Sequence, residues 1–165
     1  MTLAASPNYA DDDDHKGREE KDDGEYVAIT LKTDPRHDSE AACVALQLGM
    51  NLLSPIVPDA TNTLTSVEPA EKVVLFPTLG GVELVNTDTD LNALICQVPG
   101  ESGLKDAPLA KVLEGFIMAG GEVIVCPLCA YSRFIYDYEL PHYASMGNGE
   151  SIHELFIDAD KVLSF

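Results

Sequence analysis

Four compact apolar runs recur along this chain, and segments with helical patterning separate them. The runs are Tyr26–Leu31, Lys72–Pro77, Glu122–Val125 and Lys161–Phe165, each rich in Val, Ile and Leu. Short near-continuous apolar runs of this kind predict strands buried on both faces. Between the first two lies Ser39–Leu53, which predicts a helix capped by Asp38 or Ser39. Its polar residues Glu40, Gln47 and Asn51 share one stripe, so the rest of its circumference is apolar. Such a helix meets a sheet on one side and a second helix or another subunit on the other. Leu109, Val112, Leu113, Phe116 and Ile117 repeat at i, i+3, i+4, i+7 and i+8, which predicts an amphipathic helix that Gly120-Gly121 closes. Ser151 and Glu154 fit a capping box for a short helix carrying Ile152, Leu155 and Phe156. Strands that alternate with helices predict an α/β domain whose parallel sheet is covered on both faces, with right-handed crossovers.

The connections are less legible. Asp34-Pro35 marks a turn. Ser54 to Glu71 reads as an irregular loop. Gly80-Gly81 reads as a turn that lets a short helix from Val82 to Val85 approach the sheet. Asn86 to Pro108 carries no firm signal, and Leu91–Gln97 fits a short helix or a strand equally.

At 165 residues the chain predicts one domain over 25–165, preceded by an acidic tail, 1–24, with nothing to bury and therefore disordered. His15, next to four aspartates, reads as a solvated residue of that tail. The net charge of −18 argues against nucleic acid and anionic membrane surfaces, both of which require clustered Lys and Arg. No run approaches the ~18 apolar residues of a membrane span. Met1 to Ala10 lacks the pattern of a secretory signal, so a cytoplasmic protein with reduced thiols is expected. Neither a dinucleotide fingerprint nor a Walker lysine is present, and no cofactor is expected.

The chemistry points to Cys126 and Cys129, spaced as CxxC just past the Glu122–Val125 run. In open parallel sheets ligands bind outside the carboxyl ends of the strands. Pro127 favours the first position of a helix, which puts Cys126 at its N-cap and Cys129 one turn on. A thiol so placed ionises readily and is a nucleophile for sulfur transfer or disulfide exchange. Cys129 is then placed to resolve what forms on Cys126. Cys43 and Cys96 lie in apolar contexts and read as buried free thiols. CxxC is also half a zinc site, but His142 and His153 do not supply the other half at a matching spacing. His142 reads as a loop residue and His153 as a solvated helix residue, each a candidate acid or base near the thiols. Tyr131 and Phe134 are candidates for the mouth of the site, with core packing the expected role of Phe134.

Three stretches resemble the DsrE/DsrF-like family with the YchN-like fold. They are the first strand with the helix Glu40–Leu53, the stretch Val73–Leu84 through Phe76 and Gly80-Gly81-Val82, and the helix-glycine-strand-cysteine segment Leu109–Cys129. The closing segment Ser151–Phe165 also fits. The resemblance implies a three-layer α/β/α sandwich with a mainly parallel, flavodoxin-related sheet, assembled as a trimer or hexamer. It also implies a sulfur-relay role, within sulfur oxidation or tRNA thiolation, in which a persulfide forms on the cysteine after the apolar strand, here Cys126. The partners so implied are a sulfur donor or acceptor protein. The acidic tail, the two long loops and the aromatic stretch after Cys129 depart from that pattern. A sulfurtransferase or sulfur carrier is the leading expectation. A non-catalytic oligomeric scaffold or small-ligand binding protein and a structural zinc site are the alternatives.

Overall fold

The structure is a computed structural model that describes residues 24–58, 64–66, 68–100 and 103–165. The acidic tail expected over 1–24, with His15 in it, lies outside the described residues except for Gly24. In chain order, β1 (Tyr26–Leu31) leads to α1 (Ser39–Leu53), then β2 (Ile56–Pro58), β3 (Leu64–Ser66) and β4 (Lys72–Pro77). A 3₁₀ turn (Leu79–Leu84) follows, then β5 (Ile95–Gly100), β6 (Gly103–Pro108), α2 (Leu109–Met118) and β7 (Glu122–Val125). The chain closes with α3 (Pro127–Tyr131), β8 (Ala144–Met146), α4 (Gly149–His153), a π turn (Glu154–Asp158) and β9 (Lys161–Ser164).

Five strands form one sheet in the order β8-β7-β4-β1-β9, and every pairing is parallel. Alternate residues divide the core. Val27, Ile29 and Leu31 of β1 join Val73, Leu75, Val123 and Val125 beneath α1 and α2. Ala28, Val74 and Phe76 face the other way, where Ile152 and Leu155 of the last helical segment cover them. Helical layers therefore lie on both faces, the expected three-layer arrangement, although the second layer is thin.

Packing is tight where α1, α2 and β7 meet. The Phe116 ring is fully buried, and a Cβ added at Gly49 or Gly121 would lie 2.5 or 2.3 Å from it. Both glycines are therefore the space in which that ring sits. Asp38, not Ser39, caps α1, accepting from the Glu40 N–H at 3.0 Å. Gly120 takes φ 98° after α2, as a glycine closing a helix does. Gly81 lies so close to β1 that a Cβ would be 2.1 Å from the Leu31 carbonyl oxygen, which confirms its role in close approach.

Several expectations are corrected. The unassigned stretch 86–108 contains the antiparallel hairpin β5–β6, paired from Ile95↔Pro108 to Gly100↔Gly103. The loop expected over 54–71 contains a smaller hairpin, β2–β3. Ser151 is not the cap of the last helix: Asn148 caps it, accepting from the Glu150 and Ser151 N–H groups at 2.9 Å, while Ser151 Oγ accepts from the Asn148 N–H. The asparagine carboxamide does what the serine hydroxyl was expected to do, three residues earlier. Most consequentially, Cys43 and Cys96 are not free thiols. They form a disulfide, with Cα atoms 5.5 Å apart, that fastens β5 to α1. The hairpin lies against α1, where Gln47 Nε2 also donates to the Gln97 carbonyl at 3.1 Å. The second helix expected against α1 is α2, and the hairpin packs on α1 as well.

Candidate functional site

The carboxyl ends of β4 and β7 lie side by side, and the Cys126 N–H donates to the Pro77 carbonyl at 3.0 Å. That bond ties the two strand ends together. Cys126 caps α3 and Pro127 opens it, as the sequence predicts. Both thiols are reduced and half-buried. Cys126 packs toward the second face of the sheet and Cys129 toward the main core.

Cys129 has the richer surroundings. Its Sγ lies 3.3 Å from Thr78 Oγ1, the first residue after β4. Burial pushes the Cys129 thiol up, but hydrogen bonds from the Thr78 hydroxyl, the Cys126 thiol and the Leu79 N–H, with the charge of Arg133, outweigh it and leave its pKa below the ordinary value. The stabilisation of the Cys129 thiolate thus comes from side chains and one backbone amide of the neighbouring turn. Leu79 has φ 49°, a left-handed conformation that costs a residue with a Cβ roughly 1–2 kcal/mol. The strained residue is the one whose N–H serves the sulfur.

A buried carboxylate braces this edge. Glu83, 4% exposed, accepts from Asn86 Nδ2 at 2.8 Å and pairs with Arg36 Nη2 at 3.0 Å. Arg133 Nε lies 3.9 Å from the same carboxylate, and its Nη1 donates to the Cys129 carbonyl at 3.2 Å. Arg36 also grips Asp34 at 2.7 Å, and that hydrogen bond holds the Asp34 carboxyl below its usual range. The segments after β1, β4 and α3 are thereby gathered round one carboxylate. Thr78 and Arg133 carry no motif that marks them in the sequence. Glu83 has one signal, a lone acid within the otherwise apolar stretch Leu79–Val85.

Phe134 is not in the core: it is 77% exposed, with φ 60°. Its side chain lies by Asn86, Thr87 and Glu139, whereas Leu128 (80% exposed), between the two cysteines, and Leu79 (55%), whose N–H serves Cys129, are the exposed apolar residues at the thiols. Tyr131, also exposed, stands 6.1 Å from Tyr136, which stacks on Tyr138 at 5.6 Å. His142 is not brought to the thiols. It precedes β8, against Gly121 and Glu122 at the amino end of β7. His153 faces Asp158 at 4.0 Å. Among the described residues no cluster of three or more His, Cys, Asp or Glu is placed to hold a metal ion. Among the described residues no helix is long and apolar enough to cross a membrane.

Fold and site together define a class: a parallel α/β sandwich that presents a pair of thiols where its central strands end. The crystal structure of the YchN protein from E. coli has the same fold, with a TM-score of 0.56 and 20% identity over 86% of this chain and 99% of that one. The YchN-like fold expected from the sequence is therefore the fold observed. No protein-family model matches the sequence. No curated protein matches it either.

Proposed function

We propose that this protein handles sulfane sulfur, taking it as a persulfide on the Cys126–Cys129 pair and passing it to another thiol. The observation that carries this reading is the hydrogen-bonded, easily ionised Cys129 beside Cys126 at the open carboxyl edge of the sheet. Thiolates, not thiols, attack sulfane donors. The resemblance assigns the first attack to Cys126; the surroundings of Cys129 favour Cys129, with Cys126 as its partner. The balanced step is Cys129–S⁻ + R–S–SH → Cys129–S–SH + R–S⁻. The exposed Leu79 and Leu128 beside the pair suit a donor or acceptor carried on another protein, because a small donor needs no such surface.

The proposed location is the cytoplasm, where the open pair stays reduced; the buried Cys43–Cys96 disulfide is the feature that an oxidising compartment would explain instead. A homo-oligomer, trimer or hexamer, is supported by the thin second layer, which leaves Phe156, Ile157 and Val162 exposed; native mass spectrometry reads its size. The reading itself is tested by incubating reduced protein with a sulfane donor and mapping adducts after alkylation. A gain of about 32 Da on Cys126 or Cys129 supports it. Sulfur on neither residue in the wild type, Cys126→Ser or Cys129→Ser, with both wild-type thiols still open to alkylation, refutes it.

One observation favours a second reading, a non-catalytic small-ligand binding protein. A cavity of about 450 Å³ lined by Leu91, Leu113, Ile117, Met118, His142 and Tyr143 opens beside α2. Under that reading, replacing both free cysteines by Ser leaves the biological role intact.

A further inference from the structure

The two free thiols are not equivalent, and their arrangement bears on what becomes of a bound sulfur. Cys129 sits within the Thr78–Leu79–Arg133 cluster, and the Cys126 thiol adjoins it from the cap of the same short helix. The Cys126 amide is fixed to the Pro77 carbonyl and the Ala130 amide to the Cys126 carbonyl, both at 3.0 Å. Backbone hydrogen bonds thus hold both ends of the CxxC segment.

We propose that Cys126 is an internal acceptor that discharges an unclaimed Cys129 persulfide as hydrogen sulfide. This rests on the sulfane-sulfur reading above and specifies the fate of the sulfur. The Cys126 sulfur attacks the inner sulfur of the persulfide, and the outer sulfur leaves with the Cys126 proton. The balance is Cys126–SH + Cys129–S–S⁻ → Cys126–S–S–Cys129 + HS⁻. Two thiol sulfurs are oxidised by one electron each, and the sulfane sulfur is reduced by two. The step is ordinary thiol–disulfide exchange, with a persulfide as the bond under attack. A partner's thiol that reaches the site first takes the sulfur instead, so discharge competes with transfer. Each discharge leaves a disulfide that a dithiol reductant, R(SH)₂, returns to two thiols as it closes to its own disulfide. The protein therefore stands between a reaction that supplies sulfane sulfur and one that supplies dithiol.

The test uses the full chain, reduced under conditions that leave Cys43–Cys96 closed and then freed of reductant. It is loaded with cysteine hydropersulfide and desalted. Sulfide is trapped with a bimane reagent, and the cysteines are mapped by mass. The expected wild-type result is about one sulfide per chain, loss of both alkylatable thiols and no retained sulfur. Cys126→Ser is expected to keep about 32 Da on Cys129 and release no sulfide. Cys129→Ser is expected to show neither discharge nor retained sulfur. A wild-type chain that holds its persulfide without releasing sulfide overturns the inference and leaves the sulfane-sulfur reading standing. Retention on Cys126 in Cys129→Ser overturns the assigned order. Sulfur on neither cysteine in any variant overturns the sulfane-sulfur reading as well.

Discussion

The four cysteines of this chain form two pairs with opposite characters. Cys43 and Cys96 come from elements 53 residues apart in sequence, are buried, and are joined. Cys126 and Cys129 are three residues apart, half-buried, and apart as thiols. The first pair closes a large loop of unfolded chain and so acts on stability. The second closes almost none, and its sulfurs are free for exchange. Composition is identical in the two cases; what differs is the element that presents each sulfur. A helix face against a hairpin hides one pair, and a strand end against a turn displays the other.

The largest expected effect separates the pairs by chemistry. In a Cys126→Ser background, which retains the sulfur, Cys129→Ser should reduce sulfur loading to background while Cys43→Ala leaves it near the level of Cys126→Ser alone. Equal losses in both, read by mass spectrometry, would erase the distinction. Next comes stability. Replacing Cys43 and Cys96 together by Ala removes a cross-link that the chain-entropy model values at about 4 kcal/mol for a loop of this size. Denaturant unfolding should show most of that loss, against under about 1 kcal/mol for Cys126→Ser. Glu83→Gln should cost about 1–3 kcal/mol, because Arg36 and Arg133 lose the carboxylate they share. It should also slow alkylation of Cys129, as Arg133 loses its anchor.

The smallest effect sharpens the account of Cys129. Its pKa is lowered, so its thiolate forms at lower pH than in a free peptide, and its alkylation rate should rise and level off at correspondingly lower pH. Thr78→Val keeps the shape and removes the hydroxyl, so the curve should move back to higher pH. A hydrogen bond of about 1 kcal/mol corresponds to roughly fivefold in rate at a pH below the new pKa. An unmoved profile would mean that Thr78 does not hold the thiolate.

Much of this molecule is legible in the sequence, for definable reasons. The central strands are apolar on both faces, and only a parallel sheet covered on both sides buries them. Pro127 after Cys126 fixes a helix start, and Gly81 can be recognised because nothing larger fits beside Leu31. The hairpin β5–β6 escapes because its residues are largely exposed, with Lys105 and Asp106 where an apolar pattern would have marked it. It is held by Cys96, a partner distant in sequence, and single-chain patterning carries no sign of that contact. Phe134 misleads because an aromatic residue is expected inside, whereas its left-handed backbone turns the chain outward. Thr78, Glu83 and Arg133 come together only after the ends of β4 and α3 converge.

Leu79 has a consequence of its own. A side-chain-bearing residue holds a left-handed backbone only while its neighbours compensate, and one of those neighbours is the Cys129 sulfur. Capping that sulfur with an uncharged group weakens the acceptor on which this amide relies. The peptide group at Leu79 therefore works as a local gauge of the oxidation and charge state of the thiol, and its hydrogen–deuterium exchange should quicken when the sulfur is capped and slow again when it is freed.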